Sequence, residues 1–230
     1  MSAYRFTLAG CDLTALPSGG LFWAEAGLLV VSDLHFGKST RLARRGGALL
    51  PPYETRDTLL RLDADLTQTG ATEVICLGDS FDDVAAADEM EAADRQALAR
   101  LLEGRRWTWI AGNHDPAPGG LGGHHAAEHR QGALTFRHIA EPGAVGEVSG
   151  HFHPKARLAG QSRPCFLLSP GARLILPAYG CYTGGLFCAA PELAALMGPG
   201  ALAILTGRVA RAIPYAAAAQ TSPRASTVGR

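Results

Sequence analysis

The sequence predicts an α/β protein built on two sheets, and three observations carry that expectation. Between residues 28 and 111, apolar runs rich in β-branched residues alternate with segments of helical periodicity, the pattern of parallel strands joined by crossover helices. Beyond residue 130 that alternation gives way to strand after short strand, each bounded by turn residues, which predicts another sheet. Four apolar runs also end alike, in a small residue followed by side chains able to bind a metal. They are Val30-Val31-Ser32-Asp33-Leu34-His35, Ile75-Cys76-Leu77-Gly78-Asp79, Trp109-Ile110-Ala111-Gly112-Asn113-His114-Asp115 and Val148-Ser149-Gly150-His151-Phe152-His153. Groups at the C-terminal ends of strands in an open α/β sheet gather in one crevice, so these endings are expected to meet.

Arg5 to Leu8 and Leu21 to Trp23 alternate as short outer strands, with Pro17-Ser18-Gly19-Gly20 as a turn. Leu28 to Ser32 is continuously apolar and suits a central strand covered on both faces. Residues 37 to 52 carry Lys38, Arg41, Arg44 and Arg45 between glycines and prolines, and read as a basic loop that is either solvated or in contact with phosphate. From Tyr53 to Thr69, Leu59, Leu62 and Leu66 recur at helical spacing and Gly70 stops the helix. Glu73 to Leu77 is the next strand. Asp88 and Glu91 have capping-box spacing before a helix whose stripe is Met90, Ala93, Leu98 and Leu101, ending by Gly104. Trp107 to Ala111 is the third strand of the alternating half. After the glycine-rich 119–123 loop, His125 and His129 would share a face able to hold a metal if residues 125–129 were helical, against the commoner reading of lone surface histidines. The second half reads as strands at Leu134–His138, Val145–Ser149, Cys165–Ser169, Arg173–Leu176, Ala201–Leu205 and Val209–Ile213, with a short helix at Pro191–Met197. One domain over residues 1–215 and a disordered tail over 216–230, rich in Ala, Ser, Thr and Arg, complete the plan.

Composition narrows the class without naming a partner. The 230 residues carry a formal charge of zero, so no global basic or acidic excess marks a nucleic-acid coat. Five cysteines (Cys11, Cys76, Cys165, Cys181 and Cys188) form no Cys-x-x-Cys pair, which argues against a disulfide framework or zinc knuckle and for a reducing cytoplasm. No apolar run approaches the roughly 18 residues of a membrane span, and no secretory start is present.

The candidate metal ligands are Asp33, His35, Asp79, Asn113, His138, His151 and His153. That set is too large for one ion that keeps room for substrate, so two divalent ions are the better count, with Asp79 as the bridge between cations roughly 3.5–4 Å apart. Two such ions outweigh the two aspartates, leaving a positive pocket suited to a phosphate ester and its hydrolysis. His114, beside Asn113, suits the task of donating a hydrogen bond to the phosphate oxygen or protonating the leaving group, and Asp115 either orients His114 through its other ring nitrogen or merely caps a turn. Asp82 and Asp83 read as a solvated acidic turn, with an extra ligand or a role just outside the ligands as the lesser alternative. Lys38, Arg41, Arg44, Arg45, Lys155 and Arg157 flank these ligands as candidates for phosphate contact.

The series Asp33-x-His35, Gly78-Asp79, Gly112-Asn113-His114-Asp115, His138 and Gly150-His151-x-His153 resembles the motif series of calcineurin-like metallophosphoesterases. That resemblance implies a four-layer α/β/β/α sandwich of two facing mixed sheets. It assigns Asp33, His35, Asp79 and His153 to one ion and Asp79, Asn113, His138 and His151 to the other, with manganese as the usual ion and iron or zinc as alternatives. Gly37-Lys38, Arg44-Arg45-Gly46, Pro51 to Thr55, Gly150 to Pro154, and Leu176-Pro177-Ala178-Tyr179-Gly180 through Thr183-Gly184-Gly185-Leu186 resemble the bacterial ligase-associated DNA damage response endonucleases. This implies a DNA substrate and an association with a DNA ligase, a helicase and an exonuclease. Ser80 departs from the apolar residue common at that position. A phosphodiesterase or phosphatase acting on small nucleotides or a lipid-linked sugar is the alternative enzyme, and a non-catalytic protein-binding scaffold, which would have lost ligands, the alternative class.

Overall fold

The computed structural model describes residues 2–47, 49–115, 121–158 and 160–220. Its first sheet takes Tyr4–Leu8 (β1), Cys11–Ala15 (β2), Leu21–Trp23 (β3), Leu28–Val31 (β4), Glu73–Cys76 (β5), Arg106–Ile110 (β6) and His124–Ala126 (β7) side by side in chain order. β1 to β4 pair antiparallel as a meander, and β4 to β7 pair parallel. Parallel neighbours need long crossovers. Lys38–Arg44 (α1) and Glu54–Thr69 (α2) lie between β4 and β5, and Ala92–Leu102 (α3) between β5 and β6.

The second sheet uses Glu128–Gln131 (β8), Leu134–Arg137 (β9), Glu147–Ser149 (β10), Lys155–Leu158 (β11), Gln161–Ser169 (β12), Arg173–Ile175 (β13), Leu202–Leu205 (β14) and Arg211–Pro214 (β15). Its order is β15-β14-β12-β13-β10-β9-β8, with β11 folded back on β12 as a hairpin. β10 runs parallel to β9 and β13, and the remaining pairs are antiparallel. Two short helices, Pro191–Ala194 (α4) and Tyr215–Ala218 (α5), complete the chain.

Strand alternation sorts the side chains into three cores. Leu28, Val30, Ile75, Leu77 and Ile110 of the first sheet pack against Phe136, Val148, Phe166, Leu174 and Ile204 of the second. The opposite face of the first sheet, through Leu29, Val31, Val74 and Trp109, meets Leu59, Leu62 and Leu66 of α2 and Leu98 and Leu101 of α3. Cys165, Leu167, Ile175 and Ala203 cover the other face of the second sheet with Leu193 of α4 and Ala218 of α5. The result is a four-layer α/β/β/α sandwich of two mixed sheets. Each fully buried Val or Leu in it is worth roughly 1.5–3 kcal/mol, so both faces of β4 hold the centre of the molecule in place.

Several local expectations are corrected. The basic stretch from Lys38 is helical rather than a loop, and β2, β7, β8 and β11 join the expected strands. His125 and His129 sit on two different strands, not on one helical face. α3 begins after Glu91, which makes no side-chain cap bond, because Asp88 is used to close the 3-10 turn Val84–Ala87 one step earlier. Ala216 to Ala218, placed in the tail by composition, form part of α5, and 221–230 lie outside the described residues, as does part of the 119–123 loop. Among the described residues no helix is long and apolar enough to cross a membrane.

Candidate metal centre

The loops leaving β4 and β5 continue the parallel pairing of the strands they follow. Asp33 N–H donates to the Gly78 carbonyl at 3.2 Å, His35 N–H to Asp79 at 3.0 Å and Phe36 N–H to Ser80 at 2.9 Å. This ladder fixes Asp33, His35 and Asp79 at one rim. Gly150 N–H donates to His138 at 3.0 Å and Leu176 N–H to Ser149 at 2.8 Å, which holds the corresponding loops of the second sheet. The two rims touch through Asp33, whose Oδ2 accepts the His151 N–H at 3.0 Å and the neighbouring Ser32 hydroxyl.

Two groups of metal-capable atoms result, each with its atoms within 4.8 Å of one another: Asp33, His35 and His153, and Asp79, His138 and His151. Each group mixes the sheets, since the aspartates and His35 come from the first and the other histidines from the second. In the first, Asp33 Oδ1 and His153 Nε2 lie 3.0 Å apart, yet both are buried without a hydrogen-bond partner, as is His35 Nε2. Orphaned buried polar atoms cost on the order of 1–3 kcal/mol each, and more when charged. A cation among them would satisfy all three.

The second group has a fixed tautomer. His138 Nδ1 lies 2.7 Å from the Leu77 carbonyl, which only an N–H can satisfy, so a neutral His138 presents a lone pair at Nε2. That nitrogen faces Asn113 Oδ1 at 2.9 Å, His151 Nδ1 at 3.2 Å and Asp79 Oδ2 at 3.4 Å. Lone pairs converging on one point call for a positive charge between them. The local electrostatics agree: burial disfavours a charged His138, but the carboxylates of Asp79 and Asp33 outweigh it and raise its pKa. Burial likewise works against ionised Asp79, yet His138 and the His114 N–H hold its carboxyl down at about 2.

Backbone strain concentrates at the same side chains. Asp33, His35, Asp79, His151 and His153 all have left-handed backbones, with φ of 52°, 47°, 46°, 70° and 46°, against only Ala9 and Tyr182 as other non-glycine cases among the described residues. Left-handed backbone at a non-glycine residue costs of order 1–3 kcal/mol, and such outliers cluster at functional sites. The small residues before the ligands have a steric cause. A Cβ on Gly112 would stand 2.1 Å from Asp79 N, and one on Gly150 would stand 1.7 Å from Ser32 Oγ.

His114 lies beside both groups. Its N–H donates to Asp79 Oδ1 at 2.8 Å, its ring is edge-on to His35 at 5.4 Å, and its Nδ1 is 3.0 Å from the Asp82 carbonyl. Asp115, expected to orient His114, does not; its Oδ2 accepts the Phe81 N–H at 2.9 Å and so buttresses the loop that carries Asp79. Burial, with the nearby Asp79 charge, pushes its carboxyl up to about 7. Ser80, the departure noted in sequence, is wholly buried.

Asp82 overturns its reading as a solvated turn. It is fully buried, with Oδ1 2.9 Å from His35 Nδ1 and 3.4 Å from Lys38 Nζ, and Oδ2 bonded to the Arg41 guanidinium. Burial raises its pKa, but His35, Lys38 and Arg41 prevail and keep it well below the ordinary carboxylate range. No sequence signal marked it, because all its partners lie 41 to 47 residues upstream. Asp83 caps the 3-10 turn and pairs with Arg44, which also binds Glu89, so Arg44 is neutralised rather than free for phosphate. Arg45 is exposed, and the Arg157 guanidinium stacks 4.5 Å above the Phe187 ring.

Comparison with known proteins places this geometry. Residues 27–193 match the family described as calcineurin-like phosphoesterase. Among solved structures, the crystal structure of Pseudomonas putida nuclease MPE is similar, with a TM-score of 0.72 and 26% identity over 92% of this chain and 100% of that one. Comparison with curated proteins gave no match.

Proposed function

Because the chain belongs to the calcineurin-like phosphoesterase family, we propose that it is a two-metal phosphodiesterase that cuts DNA internally during repair. The observation that carries this reading is the pair of His/Asp groups where the two rims meet, the first with buried ligand atoms that no described residue satisfies. The likeness to nuclease MPE supports a nucleic-acid substrate. One ion would be held by Asp33, His35 and His153, the other by Asn113, His138 and His151, with Asp79 as a ligand available to both. Manganese is the proposed metal. A DNA ligase, a helicase and an exonuclease are the proposed functional associates, on the strength of the motif likeness through residue 186. The five free thiols fit a reducing cytoplasm, and the shared core between the sheets supports a single domain over residues 1–215.

Bound divalent ions supply Lewis acidity and a water acidified for attack on phosphorus. The protein's own groups do the rest. Ser32 and the His151 N–H hold Asp33, the His114 N–H holds Asp79, and the Asp82 carboxylate stands 2.9 Å from His35 Nδ1 as its charged neighbour. With Nδ1–H of His114 directed at the Asp82 carbonyl, the proton for the leaving oxygen must come from Nε2 of the imidazolium, and its transfer leaves the neutral Nδ1–H form. Lys38 and Arg41 place positive charge behind His35.

With manganese, the protein is expected to hydrolyse bis(p-nitrophenyl) phosphate and to cut single-stranded or nicked DNA internally, and Asp79→Asn is expected to abolish both. His114→Ala should slow DNA cleavage about 10²–10⁴-fold. It should slow the p-nitrophenyl diester less, since that leaving group departs without a proton. Strong turnover of a small nucleotide together with inertness on every nucleic acid would overturn the DNA assignment.

A further inference from the structure

The β11–β12 hairpin starts directly after His153 and Pro154, and its second strand returns beside β14. Between this hairpin and the β14–β15 turn lies a groove of about 700 Å³ that includes Arg163, Arg208 and Arg211 in its walls. All three arginines are exposed, no acidic residue lines the groove, and among the described residues none of the three makes an ion pair. In a chain of zero formal charge, this is a segregated positive patch. Exposed Leu158 and Val209 add apolar surface.

The groove is built before any ligand arrives. Thr206 donates to the Pro164 carbonyl through both N–H, at 3.0 Å, and Oγ1, at 2.9 Å, which fastens the two walls together. Gly207 N–H binds Pro17 and Ala210 N–H binds Ser2, both at 2.9 Å, so the turn is also tied to the first half of the chain. Its position relative to the metal centre follows from register. β12 is antiparallel to β13 and β14 is antiparallel to β12, so the start of β12 and the end of β14 open at the same sheet end as the exits of β10 and β13. Arg163 pairs with Ala156, three residues beyond His153, a chain span of at most about 10 Å. Along one strand of a duplex that span covers roughly three phosphates.

We propose that the Arg163–Arg208–Arg211 groove binds the phosphodiester backbone of the strand being cut, a few nucleotides from the bond that breaks. This rests on the nuclease reading above and adds the place where the substrate runs. Arginine forks match phosphate oxygens in pairs, which favours a strand of successive phosphodiesters over a compact nucleotide held at the metal centre. A small diester reaches the centre without entering the groove.

The test uses the full-length manganese-loaded protein and its R163Q/R208Q/R211Q variant, with a single-stranded oligonucleotide and bis(p-nitrophenyl) phosphate as probes. The expected result is about tenfold or greater weakening of oligonucleotide binding, a matching loss in cleavage at low substrate, and a salt slope shallower by about 2, from roughly 0.7 per phosphate contact. Small-diester turnover should change less than twofold. If wild type cuts DNA and the variant binds and cuts it equally well, the groove assignment fails while the nuclease reading stands. If wild type turns over the small diester but neither binds nor cuts DNA, both fail, and an acidic peptide becomes the occupant to examine. Should the triple variant lose its folded circular dichroism spectrum, Arg208→Glu alone, at an exposed turn, gives the same readouts.

Discussion

At Asp82 one buried carboxylate meets His35 Nδ1 at 2.9 Å, Lys38 Nζ at 3.4 Å and the Arg41 guanidinium. Removing it frees His35 to rotate and leaves two cations without their counter-charge. Asp82→Ala is therefore expected to weaken manganese binding about 10–100-fold, as measured by titration calorimetry, whereas Asp82→Asn, which keeps an acceptor for the imidazole, should lose less. Equal affinity in wild type and Asp82→Ala would sink the idea that Asp82 sets the His35 orientation. The residues with chemistry of their own were readable because they end apolar runs, except His138, which follows the alternating Leu134–Arg137 and was read from its place between the Asn113 and His151 segments. Those acting through a neighbour were not: Asp82, the Ser32 hydroxyl and the Leu77 carbonyl depend on contacts that form only when distant loops pair.

Among the elements, the exits of β4 and β10 abut so closely that Gly150 has no room for a methyl group beside Ser32 Oγ and Asp33 Oδ2. Gly150→Ala is expected to cost about 1–3 kcal/mol of stability in urea unfolding and to reduce metal binding, because the loop must move off Asp33. Gly184→Ala, whose added Cβ meets nothing within 4 Å, is the control and should stay within about 0.5 kcal/mol. A Gly150→Ala protein as stable and as metal-competent as the control would show that the loops tolerate separation. Elements with strong apolar periodicity, such as β4 and α2, were legible in sequence. α1 was not, since Ser39 is its only buried residue and its register is set by Glu54, which accepts from Ser39 N–H and Oγ. β2 was missed although Cys11–Ala15 alternates apolar and polar residues, because the turn at Ala9-Gly10 that pairs it with β1 was not read.

At the scale of the whole molecule, Asp65 joins three distant parts of the chain: its Oδ2 accepts from Ser18 Oγ at 2.5 Å and from Tyr179 OH at 2.9 Å. Burial raises its pKa above the ordinary 3.8 despite those bonds and Arg61. For a carboxyl raised in the folded state, the stabilising contribution is complete below the unfolded value and is lost as pH rises through the folded one. Asp65→Asn, which keeps an acceptor for both hydroxyls, should therefore gain stability relative to wild type as pH rises from below 3.8. Urea melts across pH check this, and a difference that stays constant with pH would refute it. The two-sheet plan was legible because parallel and antiparallel halves differ in their sequence rhythm, whereas the groove beside β11 was not, since it arises where two hairpins happen to meet. The sharing of each ligand group between the sheets has a mechanical outcome. With five free thiols, no disulfide staples the two sheets, so each captured ion would act as a rivet across the seam, and the supply of metal would govern how long the molecule survives proteases as well as how fast it works.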